Sequence, residues 1–102
     1  MTVRTGGESD IRVVDRPERE RFELWVDKNL AGFIQYQREG DQLRLIHTEI
    51  ASLFQGRGLG QHLVGSALDE VRRNGMWVLP LCPFIVEYLK SHPEYGDLAV
   101  TT

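Results

Sequence analysis

Between residues 55 and 61 the chain reads Gln55-Gly56-Arg57-Gly58-Leu59-Gly60-Gln61, with glycine at every second position from 56 to 60. The stretch links a segment of alternating apolar and polar residues, typical of a strand, to one with helical spacing. At a helix start the backbone N–H groups lack intrahelical partners and the macrodipole is positive. Removing Cβ atoms there lets an anion approach the main chain closely, and Arg57 could add charge to the same anion. Two phosphate-binding fingerprints are excluded. A dinucleotide-binding G-x-G-x-x-G requires glycine where Gln61 stands, and a P-loop would need a lysine where Gly60 is followed by Gly65-Ser66. As a plain connector the stretch would cost roughly 1 kcal/mol of entropy per glycine relative to alanine, and a purely structural loop does not require all three.

Three other positions could carry chemistry. Strict alternation along the strand ending at Ile50 puts Leu43, Leu45, His47 and Glu49 on one face, so His47 and Glu49 stand side by side just before the loop. Both are equally at home as polar residues on a solvated strand face. Cys82 precedes Pro83, a residue suited to the first turn of a helix. A helix N-terminus favours thiolate over thiol, and cysteine is a poor N-cap, so local stability does not explain it. Its alternative role is that of a small buried hydrophobe.

The elements that must position these residues follow from periodicity. Ile11–Asp15 reads as a short edge strand ended before Pro17, and Arg21–Asp27 as a half-buried strand. Leu30–Gln37 and Gln42–Ile50 follow, separated by Asp27-Lys28-Asn29 and Arg38-Glu39-Gly40-Asp41, an antiparallel meander. After Gly58, the residues Leu59, Leu63, Ala67, Leu68 and Val71 mark a helix that Asn74-Gly75 stops. Met76–Leu81 is a strand that can return parallel to its predecessor, and Phe84–Lys90 is a second helix ending before His92-Pro93. Glu94–Val100 adds a short strand or packs irregularly.

Composition sets the outer bounds. The 102 residues carry a net charge of −3, are 41% apolar and 26% charged, and suit one domain burying roughly 60–68% of its unfolded surface. We expect a loose polar leader over residues 1–10 and one domain over 11–102. The slight acidity argues against nucleic acid as a partner. The longest apolar run, Met76-Trp77-Val78-Leu79, is too short to span a membrane, and Met1-Thr2-Val3-Arg4 opens no signal-peptide core. A single cysteine allows no internal disulfide and fits a reducing compartment, so a cytoplasmic location is expected.

Gln55-x-x-Gly58-x-Gly60 resembles the Q/R-x-x-G-x-G/A signature of the GCN5-related N-acetyltransferases, the GNAT superfamily. Its place between a fourth strand and a long helix resembles that fold too. With His47-Thr48-Glu49 before the loop, Cys82-Pro83-Phe84 after the next strand and His92-Pro93-Glu94-Tyr95 near the end, the chain is similar to the small single-domain members over residues 11–100. We treat the last of these segments as structural first, because Pro93 ends a helix and His92 complements its dipole.

The resemblance implies a minimal GNAT fold, an α+β (mixed α/β) domain. Its mostly antiparallel sheet would contain one β-α-β unit, in the order β-β-β-β-α-β-α. It implies acetyl-CoA as acyl donor, with no metal, and an amine acceptor (protein lysine, peptide or small amine). Ile50 and the loop residues Gln55, Gly56, Arg57, Gly58, Leu59, Gly60 and Gln61 would hold the coenzyme, its diphosphate on the loop amides. Glu49 or His47 would take the amine proton, directly or through a water. The family fold bulges this strand, which would alter the alternation. Cys82 stands where many members have asparagine, six residues before a tyrosine that protonates the leaving thiolate, and Tyr88 keeps that spacing. Cys82 would then be a nucleophile or a wall of the acetyl pocket, and Tyr88 a general acid or a packed aromatic. Lys90 and Arg57 would meet the phosphates or be ordinary surface charge. The C-terminal strands that complete the substrate wall elsewhere in the family are short or missing here, implying an open acceptor site. A monomer or weak homodimer is expected. Two rival readings are a non-catalytic acyl-CoA-binding module and a Cys82-based acyl carrier.

Overall fold

The computed structural model describes residues 10–100, and the elements appear in the expected order. Strands β1 (Ile11–Arg16), β2 (Arg21–Val26), β3 (Asn29–Glu39) and β4 (Gln42–Ile50) precede helix α1 (Leu59–Arg73), strand β5 (Trp77–Pro80) and helix α2 (Pro83–Ser91). One sheet holds the strands in the order β1-β2-β3-β4-β5. The first four are antiparallel neighbours and β5 lies parallel to β4, as a strand returning after a helix should. The expected leader lies outside the described residues except for Asp10, whose amide and carbonyl both bond Asp27.

Period-two alternation on β2 buries Phe22, Leu24 and Val26, and β3 and β4 add Ile34, Tyr36, Leu43 and Leu45. Leu63, Val64, Ala67, Leu68 and Val71 of α1 and Ile85 of α2 close over them, so the core is a single cluster between the helices and one sheet face. Tyr36, though buried, gives its hydroxyl to Asp15 at 2.6 Å. Of the two outcomes expected for Glu94–Val100, irregular packing is what is found: Pro93–Leu98 is a 3-10 segment, followed by a single parallel bridge from Ala99 to Val78.

Two features of the pairing of β4 shape the site. Gln35 pairs with His47 but Tyr36 pairs with Leu45, so Ile46 is an extra residue, a β-bulge on β4. The pairing of β5 with β4 covers only Gln42–Leu45 against Trp77–Pro80. Pro80 has no N–H to extend the ladder. The amides of Leu81 and Cys82 both fold onto the Leu45 carbonyl, at 2.9 and 3.1 Å, and Pro83 then starts α2. The edge of β4 beyond Leu45 therefore has no partner strand from β5, and the sheet splits there.

Candidate functional site

The split opens into a cleft of about 390 Å³ lined by Thr48 and Ile50 of β4, by Phe54 to Gly56, by Gly58 to Gln61, and by Phe84 of α2. The three glycines that build it serve two purposes. Gly56 and Gly58 adopt φ of +79° and +72°, and nothing lies within 4 Å of a Cβ placed on either. They are needed for backbone conformation. Gly60 is helical, and its Cβ would stand 3.0 Å from Phe84 Cζ and 3.7 Å from Ile50 Cγ1. There glycine admits an aromatic ring, so the expectation that all three clear space for an anion holds only in part.

Gly58 is the residue before α1, and its carbonyl accepts the first helical bond, from His62 N at 3.2 Å. The amides of Leu59, Gly60 and Gln61 consequently have no intrahelical acceptor, and no acidic side chain occupies the first turn. The cleft floor is thus a row of N–H groups at a positive helix end. Gln55 acts differently from the expectation of direct binding: its Nε2 donates to the Ile50 carbonyl at 3.1 Å, stitching the end of β4 to the loop. Arg57 is not among the residues that line the cleft; its guanidinium lies 5.4 Å from the ring centroid of Phe54, which does line it, and reaches the Leu53 carbonyl at 3.5 Å.

His47 and Glu49 are neighbours, His47 Nε2 lying 3.3 Å from Glu49 Oε1, with side chains 52% and 60% exposed. They do not share a face with Leu43 and Leu45, which are buried under the helices. The extra residue at Ile46 inverts the alternation. Thr48 and Ile50 therefore enter the cleft, while His47 and Glu49 emerge on the opposite sheet face, where His47 meets Phe33 edge-on at 6.2 Å between ring centroids. The cleft lining contains neither His47 nor Glu49, and β5, which stops at Pro80, puts no strand beside this part of β4.

Cys82 is the residue before α2, as expected, and is 6% exposed. Its thiol donates to Thr48 Oγ1 at 3.6 Å, placing it behind the cleft wall. Burial pushes the thiol pKa up, but hydrogen bonds from the Thr48 hydroxyl and the amides of Ile85, Phe84 and Thr48 favour the thiolate more, and the net effect is downward. Thr48 is the site residue that a strictly alternating strand conceals.

Tyr88 is set apart from the cleft. Its hydroxyl lies over Gly65 of α1, only 2.6 Å from where a Cβ would be, and its ring stacks on His92 with centroids 3.8 Å apart. It lines a smaller neighbouring hollow, which meets the cleft at Gln61 and Phe84. Burial, with Glu94 and Asp69 nearby, raises its pKa. This geometry favours the packed aromatic over the general acid. The His92–Tyr95 segment is structural in the same sense: Tyr95 gives its hydroxyl to Asp69 at 2.7 Å, and Arg72 grips the Glu94 carbonyl and Asp97. Lys90 pairs with Glu87 at 3.4 Å on the surface.

Residues 21–98 match the family model described as GCN5-related N-acetyl-transferase. Protein NATD1 of Xenopus tropicalis is 30% identical over 87 residues, covering 83% of this chain and 80% of that one. Protein NATD1 of Mus musculus is 37% identical over 85 residues, covering 81% and 77%. Among solved structures, a GCN5-like protein from Staphylococcus aureus superposes with a TM-score of 0.65 at 20% identity, covering 91% of this chain and 89% of its own. An acetyltransferase of Bacillus subtilis in complex with CoA superposes with a TM-score of 0.58 at 16% identity, over 87% and 76% of the two chains.

Proposed function

Because the chain belongs to the GCN5-related N-acetyltransferase family, and is by that membership an N-acetyltransferase, we propose that its donor is acetyl-CoA and its acceptor a primary amine. The observation that carries this reading is the cleft itself. A positive helix end with unpartnered amides sits at one end of the cleft and an unpaired strand edge runs along it. The diphosphate of acetyl-CoA rests on the amides of Leu59, Gly60 and Gln61, which Gly56 and Gly58 present and Gln55 braces. The pantetheine arm runs beside Thr48 to Ile50 and pairs with the free edge of β4, as an added strand would.

The thioester then lies in the split between β4 and β5. An amine approaching from the His47–Glu49 side attacks its carbonyl, and Glu49, with His47 at 3.3 Å, takes the proton. Amides of the unpaired β4 edge near Ile50 stabilise the developing oxyanion. The C–S bond breaks, and the departing thiolate takes a proton from the Thr48 hydroxyl, which the Cys82 thiol replenishes at 3.6 Å. Cys82 thereby serves without being acylated, since it lies buried behind Thr48.

Intact mass after mixing the protein with acetyl-CoA, recorded native and then denatured beside Cys82→Ala, tests the proposal. Direct transfer requires a CoA-sized native adduct that disappears on denaturation. A retained acetyl-sized increment, absent in Cys82→Ala, would establish a covalent acyl-enzyme instead. Absence of any adduct would reduce the glycine loop to a connector. Binding with no transfer to any amine would leave a non-catalytic acyl-CoA module.

A further inference from the structure

Beside Glu49 lies a hollow of about 130 Å³, lined by Leu30, Ala31, Gly32, Phe33, Glu49 and Ala51. The fold builds it with a second β-bulge. Leu24 pairs with Gly32 but Trp25 pairs with Leu30, so Ala31 is an extra residue on β3. Ala31 turns into the core, and its carbonyl accepts the Ala51 amide at 2.7 Å, which ties the end of β4 to the start of β3. Gly32 presents bare main chain, since a Cβ there would lie 2.5 Å from the Glu49 carbonyl oxygen.

The walls have one kind of chemistry and the rim another. Every side chain in the lining is apolar except that of Glu49. Neither Leu30 nor Phe33 belongs to the core cluster, so packing of the domain does not account for this apolar surface. Glu49 has a side chain 60% exposed, and its one ion-pair partner among the described residues is His47 at 3.3 Å. A carboxylate beside apolar walls suits an ammonium on an aliphatic stem. It opposes an amine with its own carboxylate next to the nitrogen, because no cation lines the hollow to answer that charge. At this level β4 has β3 on one side and no strand on the other, so Glu49 stands between the hollow and the unpaired edge. The volume admits roughly four groups the size of a water molecule, at ~30 Å³ each.

Resting on the acetyl-CoA reading, we infer that the acceptor is an unbranched aliphatic primary amine. Its nitrogen meets Glu49, and about four atoms of its stem lie against Leu30, Phe33 and Ala51. A lysine side chain and a free alkylamine share this chemistry.

A series of n-alkylamines from methylamine to hexylamine, equally basic at nitrogen, tests this. CoA release is followed at fixed acetyl-CoA. We expect kcat/KM to rise about threefold to fourfold with each methylene as far as butylamine and then to level off. The butylamine-to-methylamine ratio should fall in Ala51→Leu, which fills the hollow, and in Leu30→Ser, which removes an exposed wall and leaves the core untouched. Nα-acetyl-lysine amide, run beside butylamine, separates the two sources. Better use of the lysine compound assigns the stem to a protein or peptide and better use of butylamine to a small amine, and either supports the hollow. A flat series with every amine acetylated overturns the inference, as does a rise that continues to hexylamine. So does a ratio that both folded variants retain, or no acetylation of any amine while calorimetry shows acetyl-CoA bound. Loss of acetyl-CoA binding in the parent protein would overturn the donor assignment instead.

Discussion

Gly58 and Gly60 stand two residues apart for different reasons, so alanine at each should fail in a different assay. At Gly58 a methyl meets nothing within 4 Å, but φ is +72°. The left-handed conformation costs an L residue about 1–2 kcal/mol. For a domain of this size, about 1 kcal/mol lowers Tm by roughly 4–8 °C. Gly60 is helical, where alanine gains about 0.8–1 kcal/mol in propensity. Against this stand contacts of 3.0 and 3.4 Å to the Phe84 ring, which is 42% exposed and free to give way. The two effects offset each other, so Gly60→Ala should melt within a few degrees of the parent. Its methyl and the displaced ring nonetheless occupy the cleft where the diphosphate meets the amides. Losing one charge-assisted hydrogen bond there, about 1.5 kcal/mol, weakens acetyl-CoA binding on the order of tenfold. Scanning calorimetry and titration calorimetry on both variants separate the cases. Gly58→Asn should recover much of the stability, because asparagine tolerates this conformation. The reasoning is refuted if Gly58→Ala melts with the parent, or if Gly60→Ala is folded and binds acetyl-CoA equally well.

Glu49→Gln should lower kcat about a hundredfold or more with the acetyl-CoA affinity unchanged, and His47→Gln should lower it less, as steady-state rates with a small amine panel would show. Glu23→Gln should cost about 1–3 kcal/mol, read by chemical denaturation. Burial pushes the Glu23 carboxyl up, yet hydrogen bonds from Arg21, Trp25 and Arg16 hold it below the ordinary range. Its contribution is therefore complete above the unfolded value of about 4.3 and fades as pH falls through the folded one, so parent and variant should converge in acid. The Cys82 thiolate, followed by its ultraviolet absorbance, should form at lower pH in the parent than in Thr48→Val, because the Thr48 hydroxyl favours the thiolate.

The order of elements was legible because each segment obeys one period, and the parallel return of β5 because a helix separates it from β4. The loop was legible because glycine spacing is a local signal. What remained hidden depends on tertiary pairing. The bulge at Ile46 adds a residue without any compositional mark, so Thr48 could not be separated from His47 and Glu49 by alternation. Glu23 reads as an ordinary polar residue on a half-buried strand. The arginines that bury it come from the end of β1, the following turn and the start of β2. Spacing alone places Tyr88 six residues after Cys82. Packing against Gly65 and His92 decides where its hydroxyl goes.

The central claim is that acetyl-CoA lies between the glycine loop and the free edge of β4. Amide correlation spectra of labelled protein, recorded while CoA is added, test it most directly. The account predicts that the resonances of Ile50, Gly58, Leu59, Gly60 and Gln61 move together and saturate, while those of β1 stay in place. Saturating shifts centred anywhere else, or none at millimolar CoA, would contradict it.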